Sequence, residues 1–168
     1  GSKPAFFFID PGKTKHLKKD TILAILNKKG AKDIMLNYIK GGPERISGII
    51  RNNINKIIDG TLDQKNWKTI KTLTDFFGLE IVKHLDESEK ERLKFFINSI
   101  FQREATDKME VLAYDMPYEN KSDNIYYLLF ASRKDCAQKI MKDIFKKERS
   151  VTYKGQTRLD LGENFKIE

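Results

Sequence analysis

Phe6-Phe7-Phe8-Ile9-Asp10-Pro11, an apolar run that ends in a carboxylate and a proline, is the stretch that decides how this chain folds. Consecutive large apolar residues suit a strand buried on both faces, as in a parallel sheet, and Pro11 has no N–H with which to continue the ladder. Asp10 is therefore expected at the carboxyl end of a central strand. Ligands and catalytic groups gather at that end of open α/β sheets, so Asp10 and Pro11 are the first candidate site residues. A central parallel strand rarely comes first in a complete fold, and Gly1-Ser2 reads as the remnant of a cleaved tag, so the chain is expected to be one lobe of something larger.

Beyond the proline the pattern changes from strand to helix. Between Asp20 and Lys29, Ile22, Leu23, Ile25 and Leu26 make one apolar face, with Gly30 placed as a C-terminal cap. Ile34-Met35-Leu36-Asn37-Tyr38-Ile39 then reads as a second strand ending at Lys40-Gly41-Gly42, so strand, helix and strand form a right-handed parallel crossover. Asn37 becomes a second polar candidate at the same sheet edge. Pro43 opens a helix at its first-turn position, and Ile46, Ile49, Ile50, Ile54, Ile57 and Ile58 recur at helical spacing until Asp59-Gly60.

A helical insertion is expected over about 61–105. Thr61-Leu62-Asp63-Gln64 has capping-box spacing and precedes Trp67, Ile70, Leu73 and Phe77 on one face, closed by Gly78. Glu80-Ile81-Val82-Lys83 is extended or connecting. A second box, Ser88-Glu89-Lys90-Glu91, starts a helix whose stripe of Leu93, Phe96, Ile97, Ile100 and Phe101 packs inward as core. Met109–Met116 and Ile125–Ala131 are strand-like runs whose short connection suits an antiparallel hairpin and is too short for a crossover helix. The expected architecture is α/β: a mixed sheet of about four strands, with the hairpin beyond the second strand, local order 1-2-4-3, and helices on both faces. Ser132-Arg133-Lys134-Asp135 caps a last helix that Ala137, Ile140, Met141, Ile144 and Phe145 lay onto the sheet. The division is thus residues 1–2 as tag remnant, 3–149 as the α/β domain, and 150–168 as a tail with a small hairpin turning near Lys154-Gly155.

Charge narrows the partners. The formal net charge is +8, from 32 Lys+Arg against 24 Asp+Glu, and such a surplus favours polyanions through counterion release. Lys13, Lys15, Lys18 and Lys19 follow the Asp-Pro step directly, which makes Lys13 and Lys15 candidate nucleic-acid contacts. A later group, Lys134, Lys139, Lys142, Lys146, Lys147 and Arg149, reads as a solvated helix face. The single cysteine, Cys136, excludes an intramolecular disulfide and offers no metal-ligand spacing, which suits a reducing, cytoplasmic setting. His16 and His84 have no neighbouring Cys or His to complete a metal site, and no Ser, His and Asp set suggests a hydrolase. No apolar stretch approaches the ~20 residues of a membrane span.

Phe8-Ile9-Asp10-Pro11, Leu36-Asn37-Tyr38, Asp115-Met116-Pro117-Tyr118 and Tyr126-Tyr127-Leu128-Leu129-Phe130-Ala131-Ser132, taken in order, resemble the three-Cys-motif partner proteins. Those proteins are named for their genomic association with a protein carrying three cysteines, which the resemblance implies as a partner, and their fold resembles the S-adenosylmethionine-dependent methyltransferases. The resemblance covers about residues 5–147 and implies that the Phe6 strand matches the fourth strand of that fold and the late hairpin its sixth and seventh. The glycine-rich turn and the ribose-binding acidic residue of such folds belong to earlier strands, and neither lies upstream here. The chain thus reads as a C-terminal half. S-adenosylmethionine would belong to a longer parent, and the isolated chain is expected neither to bind it nor to be active. The half-sheet would expose edges and faces that invite oligomerisation or strand exchange.

The resemblance also assigns roles. Asp10-Pro11 stands where amino-group methyltransferases carry Asp-Pro-Pro-aromatic, whose Asp orients the target amine. Here Gly12-Lys13 replaces the Pro-aromatic pair and removes the stacking partner. Two other readings stay open. Ile9-Asp10-Pro11-Gly12 also resembles the first strand of RNase H-like nucleases, which need further carboxylates for a two-metal site, with Glu80, Asp86 and Asp115 available. The third reading is a non-catalytic interaction domain whose basic surface docks nucleic acid or a partner protein.

Overall fold

The computed structural model describes residues 3–116 and 126–149. The hairpin turn and the tail hairpin expected from the sequence lie outside the described residues.

Strand β1 (Ala5–Ile9) leads through a 3-10 turn (Thr14–His16) and α1 (Lys19–Leu26) to β2 (Lys32–Ile39). Helices α2 (Gly41–Asn52), α3 (Ile54–Ile58) and α4 (Gln64–Phe77) follow. A 3-10 segment (Leu79–His84) leads to α5 (Glu89–Ile97), which runs on into π-helical turns (Asn98–Glu104). Strands β3 (Glu110–Met116) and β4 (Tyr126–Ser132) and helix α6 (Asp135–Arg149) complete the described chain. The sheet order is β1-β2-β4-β3, with β1 parallel to β2 and both other pairings antiparallel. This is the mixed sheet and the order that the hydrophobic runs predict.

The alternation of β2 sets the layers. Ile34, Leu36 and Tyr38 are buried beneath α1, α2, α4 and α5, where Tyr38 meets the rings of Phe76, Phe77 and Phe96 at 5.3–6.2 Å. Met35, on the opposite face, joins Leu112, Phe130 and Phe145 under α6, with Phe145 stacked on Tyr114 at 4.4 Å. Ser88 caps α5 as its box predicts, its hydroxyl accepting from the Glu91 N–H at 3.2 Å. Arg92 fastens that helix, its guanidinium donating to the Leu85 and Glu87 carbonyls and to the Glu44 carboxylate on α2.

Several sequence expectations are corrected. β1 is not buried on both faces: it is the edge of the described sheet, and Phe6 and Phe8 are each 59% exposed. Tertiary neighbours, not strand apolarity, decide burial, and the described elements supply none on that side. Helix α1 stops at Leu26 with Asn27 as C-cap, so Gly30, at φ +106, lies in the turn beyond the helix and is not its cap. The isoleucine helix breaks at Asn53, whose side-chain amide donates to the Ile49 carbonyl and competes with the helical ladder; Ile54 and Ile58 are exposed. Asp63 rather than Thr61 caps α4, accepting from the Asn66 N–H at 2.9 Å, and Trp67 is exposed. On α6, Ala137, Met141 and Phe145 face the sheet while Ile140 and Ile144 are exposed.

Candidate functional site

The residues singled out at the end of β1 form a tied turn. Asp10 is exposed, and its Oδ1 accepts from the Gly12 N–H at 3.3 Å. Gly12 adopts φ +60, which a side chain disfavours, and the Lys13 N–H returns to the Pro11 carbonyl at 2.6 Å. His16 Nδ1 lies 3.0 Å from that same carbonyl. Thr14 is buried and packs so closely on Gly42, at the start of α2, that a methyl group there would collide with its hydroxyl. Lys13 and Lys15 flank this anchor and are exposed.

The strand register brings Asn37 to the same rim. Ile9 pairs with Leu36, so one step further puts Asp10 level with Asn37 on the neighbouring strand, on the face that carries Phe8 and Met35. Asp10, Pro11 and Asn37 thus share one edge, with Lys13 and Lys15 just beyond it.

A second polar group lies at the carboxyl ends of β2 and β3, on the opposite face. The Lys40 ammonium lies 2.5 Å from Asp115 Oδ1 and 4.0 Å from the centre of the Tyr127 ring. Glu89, in the first turn of α5, is held up to about 7, mainly by burial and further by Asp115, with Lys40 opposing. Burial likewise pushes Tyr127 up to about 12 and Tyr38 well above its ordinary value. Glu89 Oε1, Tyr38 Oη and Arg92 Nε are buried without a hydrogen-bond partner. A carboxyl group that titrates near neutrality can give or take a proton, which the charged pair alone cannot do. The sequence offered one hint of this group, the Ser88 cap that places Glu89 at a helix start; nothing in the spacing pairs residue 40 with residue 115.

The carboxylates available to a two-metal reading have other partners: Glu80 pairs with Arg103, Asp86 with Arg51 and Asp115 with Lys40. Among the described residues, no three His, Cys, Asp or Glu side chains gather as metal ligands. His84 packs on Phe95 and pairs with Glu87 at the wall of an open groove of about 780 Å³, which none of the predicted rim residues lines. Cys136 is exposed. Among the described residues, no helix is long and apolar enough to cross a membrane.

No family model, curated protein or solved structure matches this chain.

Proposed function

We propose that this chain is the C-terminal portion of a methyltransferase-like domain of the three-Cys-motif partner kind, and that its Asp10 rim meets nucleic acid. The observation that carries the reading is the strand order β1-β2-β4-β3 with an antiparallel terminal pair. This is the order required if β1 corresponds to the fourth strand of a Rossmann-like methyltransferase and β3 and β4 to its sixth and seventh. The exposed Phe6 and Phe8 support it, because a fourth strand is covered once the earlier strands and helices are in place.

The described residues do not fit S-adenosylmethionine by themselves. Under this correspondence β1 to β4 stand for the fourth to seventh strands, whereas the glycine-rich turn and the ribose-binding carboxylate of such folds follow the first and second; Gly42, after β2, is backed against Thr14. The cofactor therefore belongs to the remainder of the domain, and this chain's part is to hold the acceptor. Asp10, exposed and oriented by the Gly12 N–H, accepts hydrogen bonds from an amino group, and Asn37 lies level with it. Lys13 and Lys15 contribute phosphate contacts that position without reading sequence.

The nuclease reading is weaker because β1 is followed by a helix and a parallel strand, where that architecture continues antiparallel. The test is the native reading frame upstream of Lys3. A strand followed by a glycine-rich turn there supports the proposal, and in that longer protein Asp10→Asn abolishes methyl transfer while leaving the melting temperature unchanged. An upstream sequence without such a strand and turn overturns it.

A further inference from the structure

Two carboxylates and one flexible cation meet at the carboxyl ends of β2 and β3. The Lys40 ammonium is bonded to Asp115 Oδ1 and stands over the Tyr127 ring, and Lys40 and Asp115 are the charged groups that act on Glu89 from the sheet. Tyr38 and Tyr127, from β2 and β4, feel the Glu89 charge in turn. From α5 itself comes Arg92, whose guanidinium is committed to the Leu85 and Glu87 carbonyls and to Glu44 of α2. Ahead of the helix, His84 pairs with Glu87. Glu89 Oε1 is out of water and has no hydrogen-bond partner, so a charge on that carboxyl group calls for a donor. The helix does not bring one, because Ser88 caps α5 and Arg92 ties it to α2. Lys40 can. Its ammonium carries three donors on a flexible four-carbon stem, and Asp115 is its hydrogen-bond acceptor among the described residues.

We propose that Lys40 is a proton-controlled latch: while Glu89 is protonated the ammonium stays on Asp115 and the Tyr127 ring, and when Glu89 ionises the ammonium moves to bridge the two carboxylates. The proton leaves to solvent, and Lys40, Asp115 and Glu89 together pass from neutral to one net negative charge. In the protonated state the cation joins β2 to β3 alone; in the bridged state it joins both to the first turn of α5. Burial and Asp115 hold Glu89 up to about 7 against Lys40, which puts the exchange in the neutral range. Tyr127 reports the exchange, because a cation that leaves the face of a ring changes the ring's electrostatic surroundings. The latch requires only these side chains and stands independently of the methyltransferase reading.

NMR of the full 168-residue chain, with carbon-13 in its lysine, tyrosine and glutamate side chains, tests the latch from about pH 5 to about pH 9. The Lys40 and Tyr127 side-chain signals are expected to move together with the Glu89 carboxyl signal, at one midpoint near 7. Glu89→Gln, which keeps the shape and cannot ionise, is expected to hold both at their low-pH positions. Asp115→Asn removes the competing carboxylate and is expected to lower the midpoint by at least about half a unit. His84→Gln is expected to leave the shifts in place. Lys40 and Tyr127 signals that stay still while Glu89 titrates overturn the proposal, since the carboxylate has then turned to solvent or found another donor. A folded Glu89→Gln variant that titrates like the parent overturns it too. If that variant does not fold, the wild-type signals and the Asp115→Asn midpoint decide: an unaltered midpoint overturns the exchange.

Discussion

Lys40 and Asp115, 75 positions apart, meet at 2.5 Å across the carboxyl ends of β2 and β3, and they act in opposite directions on Glu89, whose carboxyl is held up mainly by burial. Glu89 moves from an ordinary value of 4.5 to about 7 on folding, so the native state binds a proton that the unfolded chain has released. The contribution is fully present below about pH 4.5 and is lost as pH rises through 7. Urea denaturation is expected to show wild type losing roughly 1–2 kcal/mol relative to Glu89→Gln between pH 5 and pH 8, allowing for the screening of a partly exposed group. Parallel pH profiles for the two proteins would show that Glu89 does not carry the linkage.

Gly42→Ala is expected to destabilise the chain by about 1–3 kcal/mol, because the added methyl group meets Thr14 and pushes the Lys13–Lys15 turn away from α2. Gly48→Ala, on the same helix with open space at its Cβ position, is expected to be neutral or to stabilise by up to about 1 kcal/mol. Thermal melts of the two variants check the contrast. Equal effects would mean that the packing of Gly42 on Thr14 does not hold the turn.

Lys13→Ala/Lys15→Ala is expected to weaken binding of duplex DNA and to reduce the slope of log K against log salt by up to about two ion equivalents, near 0.9 per phosphate contact. Fluorescence anisotropy across a salt series measures both. An unchanged affinity and slope for DNA and RNA would remove the nucleic-acid role from this rim.

The apolar runs carried the strand order because pairing partners and connection lengths are local: a short link forces an antiparallel hairpin, and a helix between strands permits a parallel pair. Burial was less legible. Phe6, Phe8, Ile140 and Ile144 look like core in one dimension, and whether they are core depends on neighbours that the pattern cannot name. Helix ends failed where a single polar side chain intervened, as at Asn53 and Asp63. The juxtaposition of Asp10 and Asn37 was readable because Asp10 directly follows β1 and Asn37 lies near the carboxyl end of the parallel β2. The Lys40, Asp115, Glu89 and Tyr127 group was not, since its members come from four elements joined only by the tertiary fold.

Whether this chain is half of a cofactor-binding domain is decided by titration calorimetry with S-adenosylmethionine, applied to the chain itself and to the protein extended by its native upstream residues. The expected outcome is no stoichiometric binding to the 168-residue chain and a micromolar site in the extended protein. A stoichiometric micromolar site on the chain alone, or none on the extended protein, would refute the half-domain reading.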